Sequence, residues 1–152
     1  MTTATMLPAG YALRRPTMDD VHALFELESA CQMAEYGELD IVEEDVRSDL
    51  QNQNMAEDMW AVTSADGTIV AHGGVHPSEY GRFFALVRAH PEHRRRGIGT
   101  ALAALMQAHG VELAAGVPEG RRVTLNGSIH HEDAEARRFV EREGFAIGRA
   151  HV

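Results

Sequence analysis

The sequence has almost no cysteine and no long apolar run. Cys31 is the only cysteine among 152 residues, so no internal disulfide can form, which is typical of a protein kept in a reducing cytoplasm. No stretch approaches the length needed to span a membrane. The first ten residues have neither the charged start nor the apolar core of a signal peptide. These absences predict a cytoplasmic protein that does not associate with membranes.

Low-complexity runs and internal repeats are also lacking, which excludes repeat architectures. Hydrophobic residues make up 44% and charged residues 24% of the chain, as in an ordinary soluble globular protein. A chain of 152 residues is long enough to bury one sheet with helices on both faces. We therefore expect a short disordered leader at residues 1–9 and a single domain over residues 10–152.

Basic residues are nearly absent from one part of the chain. Between residues 19 and 58 there are thirteen acidic residues and one base, Arg47, so this segment carries −12, whereas the whole chain carries −9. A strongly acidic surface repels nucleic acid, so no nucleic-acid partner is expected. The acidity favours a cationic ligand, or it serves only the solubility of exposed helix faces.

The periodicity of apolar residues predicts helices that alternate with strands after an early meander. Thr17 and Asp20 resemble a capping box, Asp66-Gly67 suits a hairpin turn, and Gly144 suits the left-handed cap of a last helix. This order of elements predicts a mixed, mostly antiparallel sheet covered on both faces. The predicted strands span residues 11–15, 59–63, 69–73, 83–89, 122–126 and 145–150.

A glycine-containing turn lies inside a strand-turn-helix pattern over residues 87–106. Gly97 and Gly99 remove side chains where a ligand would approach the backbone, and the amides of residues 97–101 would lie at a helix N-terminus, which attracts anions. Arg94, Arg95 and Arg96 add positive charge. No Gly-Lys-Ser/Thr follows, and a third glycine is missing. The pattern therefore favours the pyrophosphate of coenzyme A over ATP or NAD, although a purely structural turn would share the two glycines.

At these residues the chain resembles the GNAT superfamily of acyl-CoA-dependent N-acetyltransferases, whose signature Arg/Gln-x-x-Gly-x-Gly/Ala is matched from Arg94 to Gly99. The preceding residues 89–92 have the strand-end form common in that family, and Glu143-Gly144-Phe145 matches a second landmark. The resemblance implies an α/β (α+β) fold of six to seven strands flanked by four helices. It also implies acetyl-CoA as co-substrate.

The resemblance further implies where the cofactor binds. Backbone groups on a splayed strand would hold the pantetheine arm, and the amide of Val87 would polarise the thioester carbonyl. Asp133 stands where an asparagine often contacts the cofactor. The implied cofactor contacts are Leu86, Val87, Ala89, Arg94, Arg95, Arg96, Gly97, Ile98, Gly99, Thr100, Ala101 and Asp133.

The family's usual catalytic side chains are absent at their usual positions. The tyrosine that commonly protonates the thiolate is replaced by Val140, and the strand positions that often carry a base fall on Phe83 and Ala85. Replacement bases are expected on or just after the third predicted strand, because imidazole titrates near neutrality. The candidates are His72, His76 and Glu79 as base, and Tyr80, Tyr36 or Ser128 as acid.

Two histidine clusters, His90 with His93 and the run at residues 130–133, raise the question of a metal. Nothing fixes three ligands in one place, so no metal site is expected. The chain stops soon after the Gly-Phe strand, so a seventh strand comes from the leader, from a short further strand, or from a second subunit in a homodimer.

The resemblance and the acidic segment together predict an N-acetyltransferase. It would transfer the acetyl group of acetyl-CoA to a primary amine, a cationic small molecule or a peptide amine, by direct attack in a ternary complex. The alternative is a regulatory module that binds acyl-CoA with little or no transfer.

Overall fold

The computed structural model describes residues 7–77, 81–128 and 134–146, and these ranges contain five strands and five α-helices. The strands are β1 (Ala12–Arg14), β2 (Met59–Thr63), β3 (Ile69–His76), β4 (Arg82–Ala89) and β5 (Thr124–Asn126). The helices are α1 (Val21–Tyr36), α2 (Glu43–Gln51), α3 (Met55–Asp58), α4 (Ile98–Ala114) and α5 (Ala134–Arg142). No helix in the described ranges is both long and apolar enough to cross a membrane.

The five strands form one sheet in the order β1-β2-β3-β4-β5. The first four pair in antiparallel fashion and β5 pairs with β4 in parallel. This confirms the mixed, mostly antiparallel sheet. The described residues contain five strands where six to seven were predicted, and the predicted strand at residues 145–150 lies mostly outside them. β3 is longer than its apolar pattern predicted, because it continues past two glycines to His76.

Local capping determines where the 3₁₀ turn Met18–Asp20, which leads into α1, begins and where α1 ends. The Thr17 amide donates to the Asp20 carboxylate at 2.8 Å, and the Thr17 hydroxyl accepts from the Asp19 amide at 3.2 Å, as the capping-box pattern predicted. Arg14 donates two hydrogen bonds of 2.8 Å to the same carboxylate. The helix ends at Gly37, whose φ of 74° is left-handed and whose amide bonds to Met33 at 3.0 Å.

The core lies on both faces of the sheet because side chains of a strand alternate. Met59 and Ala61 of β2 pack in one cluster with residues of α1 and α2, whereas Trp60 and Val62 pack in another with residues of α4. Each fully buried leucine or isoleucine side chain contributes about 1.5–3 kcal/mol to folding by leaving water. Cys31 is fully buried in the first cluster, where its thiol donates to the Ala89 carbonyl at 3.4 Å.

Strand β5 pairs with β4 over a short stretch only. β5 pairs only with the first three residues of β4, from Arg82 to Phe84. A Cβ atom at Gly127, just after β5, would lie 3.1 Å from the Ala85 carbonyl oxygen, so the two chains are still close there. Past that point β4 has no neighbouring strand among the described residues, and the stretch from about Val87 to Ala89, unpaired within them, is called the open edge. The start of α4 follows β4 in the chain, so the open edge leads towards the glycine turn.

Candidate active site

The turn between β4 and α4 presents a small group of backbone donors. A short 3₁₀ turn at Pro91–His93 is followed by Arg95 and Gly97 with positive φ values of 62° and 88°. Helix α4 then begins at Ile98, and the amides of its first three residues have no carbonyl one turn earlier to bond. The amide of Ala101 donates to the Gly97 carbonyl at 3.1 Å. The sequence predicts a free amide at Ala101, so the start of α4 has one free backbone amide fewer than predicted.

The space at this turn suits an approaching anion. A Cβ atom at Gly97 would meet nothing within 4 Å, so the region above this residue is open. A Cβ atom at Gly99 would lie 3.5 and 3.6 Å from ring carbons of Phe139, which is ordinary contact. Gly99 therefore faces α5, whereas Gly97 faces open space. The amides of Ile98, Gly99 and Thr100, together with the helix dipole, favour a negative group here.

The three arginines of the turn point in different directions. Arg94 donates to the Ala89 carbonyl at 3.4 Å, and Arg95 contacts Glu135 at 3.4 Å with most of its side chain exposed. Arg96 donates to the Tyr11 hydroxyl at 2.8 Å and to the Glu92 carbonyl at 3.3 Å. Each guanidinium therefore has its own protein partner, whereas the sequence had treated the three as one charged group.

Tyr11 holds Arg96 in place, and sequence reasoning did not identify it. Its hydroxyl lies 2.7 Å from Nδ1 of His93, and the two rings meet edge to face at a centroid distance of 5.7 Å. His90 caps the 3₁₀ turn by accepting from the Glu92 amide at 3.1 Å. These contacts give His90 and His93 structural partners within the turn. No local pattern links Tyr11 to a residue 85 positions away.

The register of β4 determines which backbone groups face its open edge. The His90 amide donates to Val70 at 2.8 Å, and β3 and β4 remain paired with the same register from Ala71/Ala89 to His76/Phe84. Because hydrogen-bonded pairs alternate in an antiparallel ladder, the amides and carbonyls of Leu86 and Arg88 point towards β3. Those of Val87 and Ala89 point away from it.

Val87 is therefore the residue of the open edge with both backbone groups directed outward. The Ala89 carbonyl already accepts from Cys31 and Arg94, which leaves the Ala89 amide. The backbone of Leu86 is directed into the ladder with β3, so this residue does not offer the free groups that the sequence interpretation gave it. The side chain of Leu86 is 44% exposed on the sheet face that carries α1 and α2.

A cleft of about 260 Å³ lies against the sheet face that carries α1 and α2. It reaches β4 at residues 84–86, immediately before Val87. Its apolar lining consists of Leu24, Ile41, Val46, Leu50, Met59, Phe84, Ala85 and Leu86. Its polar lining consists of Glu28, Asp49, Gln53, His72 and His76, with Gly74 in the floor.

Two of the predicted catalytic candidates lie at this cleft. His72 is buried on β3, and burial, with a smaller contribution from the charge of Arg88, lowers its pKa to about 4, so it is neutral at pH 7. Its Nδ1 has no hydrogen-bond partner among the described residues. His76 is exposed at the end of the same strand. Glu79, Tyr80 and Asp133 lie outside the described residues.

An ion-pair cluster at the inner wall of the cleft was missed by sequence reasoning. Arg88 lies 3.0 Å from a carboxylate oxygen of Glu28 and 3.0 Å from one of Glu35. Burial raises the pKa of the Glu28 carboxyl, and the charge of Arg88 opposes that rise. Glu28 and Glu35 are seven residues apart and therefore share a face of α1, which is the one signal in the sequence. Glu28 lines the cleft, and Glu35 is not among its lining residues.

The sequence predicts that the residue that would donate a proton to the thiolate is missing from α5. Val140 is half-buried there, and its carbonyl accepts from the Phe145 amide at 2.9 Å. Gly144 follows the helix with a φ of 94°, which confirms the predicted left-handed cap. The other candidate donors, Tyr36 and Ser128, are both exposed, at the end of α1 and just after β5.

A mixed sheet whose strand β4 leads through a glycine turn into a helix with free N-terminal amides is the arrangement expected from the resemblance to acyl-CoA-dependent N-acetyltransferases. Residues 21–145 match the model of the Acetyltransferase (GNAT) family. The chain belongs to this family, whose acetyl donor is acetyl-CoA, and the match confirms both the resemblance and the predicted fold class. Comparison with the curated proteins finds no match.

Solved structures of the same fold are numerous. A GCN5-related N-acetyltransferase from Sphaerobacter thermophilus is 26% identical over 93% of this chain, with a TM-score of 0.86, and this chain spans 45% of its length. The Salmonella typhimurium protein YncA, solved with its cofactor acetyl-CoA, is 13% identical over 92% of this chain and 82% of its own, with a TM-score of 0.70. An aminoglycoside acetyltransferase from an uncultured soil sample, solved with sisomicin, is 17% identical over 94% and 93%, with a TM-score of 0.62.

Proposed function

We propose that this protein is an N-acetyltransferase that transfers the acetyl group of acetyl-CoA to a primary amine by direct attack in a ternary complex. The observation that carries the proposal is the position of Val87. Its outward backbone groups lie on the open edge of β4, with the amide-rich turn at one end and the cleft reaching the strand at residues 84–86. Donor and acceptor therefore have separate approaches to one point.

The donor half of the site would bind the cofactor through the backbone. The amides of Ile98, Gly99 and Thr100 would receive the pyrophosphate, and the open space at Gly97 would admit it. The outward groups of Val87 and the Ala89 amide would hold the pantetheine arm. Arg94, Arg95 and Arg96 would add a favourable long-range field, although each has a protein partner in this structure.

The chemistry requires a polarised carbonyl, a neutral amine and a leaving thiolate. The Val87 amide would donate to the thioester oxygen as the amine nitrogen forms its bond to the carbonyl carbon and the carbon–sulfur bond breaks. The amine proton would pass to His76, which lies on the cleft and is exposed, directly or through water. His72 is a weaker base, because its pKa of about 4 leaves it little affinity for a proton.

The leaving thiolate needs little assistance. A thiol has an ordinary pKa of about 8.5, so its anion is a tolerable leaving group near neutral pH. Val140 cannot donate a proton, and Tyr80 stays a predicted donor outside the described residues. Absence of a dedicated acid is also compatible with the alternative function, a module that binds acyl-CoA without efficient transfer.

Calorimetric titration with acetyl-CoA tests the donor half, with desulfo-CoA and ATP as controls. Micromolar binding of the two CoA ligands without ATP binding supports the proposal, and no binding of acetyl-CoA contradicts it. Amine-dependent release of free thiol then separates an enzyme from a binding module. The chain contains no lysine, so background acetylation of the protein itself is confined to its N-terminal amine.

His76→Ala and His72→Ala test the assignment of the base. We expect the first to lower kcat with amines about 10² to 10⁴-fold, as for loss of a general base, and the second to change it far less. Equal losses of kcat in the two variants would contradict the assignment of His76 as the base. A cytoplasmic location and a homodimer stay predictions, the latter tested by the molecular mass in solution.

A further inference from the structure

The negative charge of the chain is not concentrated at the cleft. Thirteen acidic residues lie between positions 19 and 58, but Glu28 and Asp49 are the two that line it. Glu28 shares Arg88 with Glu35, each at 3.0 Å, so one guanidinium only partly compensates the charge of Glu28. Asp20 and Asp58 have partners elsewhere, Arg14 and His109. The cleft therefore has one full negative charge, on Asp49, and part of a second, on Glu28.

The walls of the cleft are mainly apolar. Leu24 and Leu50 approach from α1 and α2, and Ile41 from the segment between these helices. Phe84 and Leu86 approach from β4 and remain 50% and 44% exposed, although neighbouring apolar side chains of the sheet are buried. Large apolar side chains left open beside a reacting centre gain by contact with an apolar ligand.

We infer that the acceptor is a small amine with one ammonium group and an apolar aliphatic or aromatic body, rather than a polyamine or an aminoglycoside. This inference rests on the proposed function, because the cleft accepts the amine only if Val87 marks the point of transfer. The ammonium would lie towards Glu28 and Asp49, and the body would pack on Phe84, Leu86 and the helix side chains.

Charge argues against a polycation, and size argues against an aminoglycoside. The volume of about 260 Å³ lies below the range of roughly 300–1,000 Å³ found for pockets of drug-sized ligands. Asp49 and the partly compensated Glu28 are the two carboxylates in the described lining, so further ammonium groups of a polycation would lie against leucine and phenylalanine side chains, and burial of an unpaired charge is costly. The expected acceptor is therefore small and has a single charge.

A series of straight-chain primary amines from ethylamine to hexylamine tests the inference, with spermidine and an aminoglycoside as polycationic comparisons. The alkylamines have nearly the same amine pKa, so chain length is the main variable. With acetyl-CoA at saturation, we expect kcat/KM for thiol release to rise about fourfold for each added methylene until the cleft is filled. Spermidine and the aminoglycoside should react more slowly than hexylamine.

Two matched pairs of variants locate the effect. Phe84→Ala should lower kcat/KM for hexylamine about tenfold and leave ethylamine within about twofold, because only the longer chain reaches the ring. Its control is Val111→Ala, which truncates an apolar side chain that is 74% exposed on α4, outside the lining of the cleft. Val111→Ala should leave both amines unchanged.

The second pair uses the two carboxylates that share Arg88. Glu28→Gln should raise KM for every amine about tenfold or more, through loss of a charge-assisted contact to the ammonium. Glu35→Gln breaks the other ion pair of the same arginine at the same 3.0 Å distance, yet Glu35 does not line the cleft. Glu35→Gln should leave KM within about twofold, so it controls for the effect of breaking an ion pair of Arg88.

The outcomes separate the two proposals. A flat dependence on chain length, or a preference for spermidine over hexylamine, overturns the inference and leaves the acetyltransferase intact. Equal effects of Glu28→Gln and Glu35→Gln on KM overturn the role of Glu28. If acetyl-CoA binds but no amine in the series releases thiol, the proposed function itself is contradicted, and the acceptor class with it.

Discussion

A charge placed in the first turn of α4 would test the anion site without weakening the fold. Thr100 is the third residue of this helix and is exposed. Gly99 is a poorer probe, because a side chain there would meet the Phe139 ring at 3.5 Å. A glutamate at the third helical position interacts favourably with the helix dipole, by about 0.3–1 kcal/mol. Thr100→Glu should therefore leave the free protein as stable as the wild type, or slightly more so.

The same charge should repel a bound pyrophosphate. At a separation of about 6 Å and an effective dielectric constant of about 40 for this exposed site, two unit charges repel by roughly 1.4 kcal/mol. A diphosphate with two charges would therefore bind more weakly by roughly 3 kcal/mol, which is about a hundredfold in Kd. The neutral isostere Thr100→Gln has nearly the same volume and should weaken binding by less than about fivefold.

Calorimetry of acetyl-CoA binding to the two variants measures this difference directly. Urea unfolding of the free proteins confirms that the fold is retained. Because the Debye length falls from about 10 Å at 0.1 M salt to about 3 Å at 1 M, the gap between Glu and Gln should narrow markedly at high salt. Equal Kd values for the two variants at low salt would refute the placement of the pyrophosphate at this helix.

Three other perturbations test the fold around the site. Gly97→Ala should lower stability by about 1–2 kcal/mol, since only its left-handed φ resists a side chain. Gly81→Ala should lower the melting temperature more, because its Cβ would lie 2.7 Å from a carbonyl oxygen. Equal losses of stability in the two variants would contradict this reasoning. The pKa of His72 is about 4 when folded and about 6.5 when unfolded, so the unfolded chain binds more protons between these values. The contribution of His72 to stability should be level above pH 6.5 and fall by roughly 3 kcal/mol as the pH is lowered to 4, and urea titrations of His72→Leu should lose this component. His109→Ala leaves Asp58 buried without its partner at 2.7 Å and should lower the free energy of unfolding by about 3 kcal/mol. In the background of Asp58→Ala the same substitution should cost far less, which a double-mutant cycle measures.

Features set by a few neighbouring residues could be predicted from the sequence. The Thr17 capping box, the Asp66-Gly67 hairpin and the left-handed cap at Gly144 are all observed, because each depends on local hydrogen bonds. The strand-turn-helix around Gly97 is observed for the same reason. The amide of Ala101 was expected to be free, but Gly97 is the N-cap of α4 and its carbonyl accepts the first hydrogen bond of the helix from Ala101.

The distribution of charge could not be predicted, because a count along the chain does not show which face of a helix carries it. On α2, Val46 and Leu50 face the core, whereas the acidic residues Glu44, Asp45 and Asp49 are exposed. The pair between Glu28 and Arg88 joins residues 60 positions apart and exists only because β4 lies across α1 with one register. An acidic segment therefore suggested a cationic acceptor, although the cleft that it borders is mainly apolar.

The two halves of the proposed site both depend on the period-two geometry of β4. Even-numbered side chains, Phe84, Leu86 and Arg88, face the cleft and α1, whereas the outward backbone groups on the open edge belong to the odd-numbered Val87 and Ala89. Alternation of apolar residues identifies the two faces of a strand, but not which residues bond to which neighbour. A one-residue insertion after Arg82 would move the Phe84 and Leu86 side chains to the other face of the sheet, and it would turn the Val87 amide towards β3. It should therefore abolish amine selectivity and acetyl-CoA binding together, which separate substitutions in the cleft and in the turn should not do.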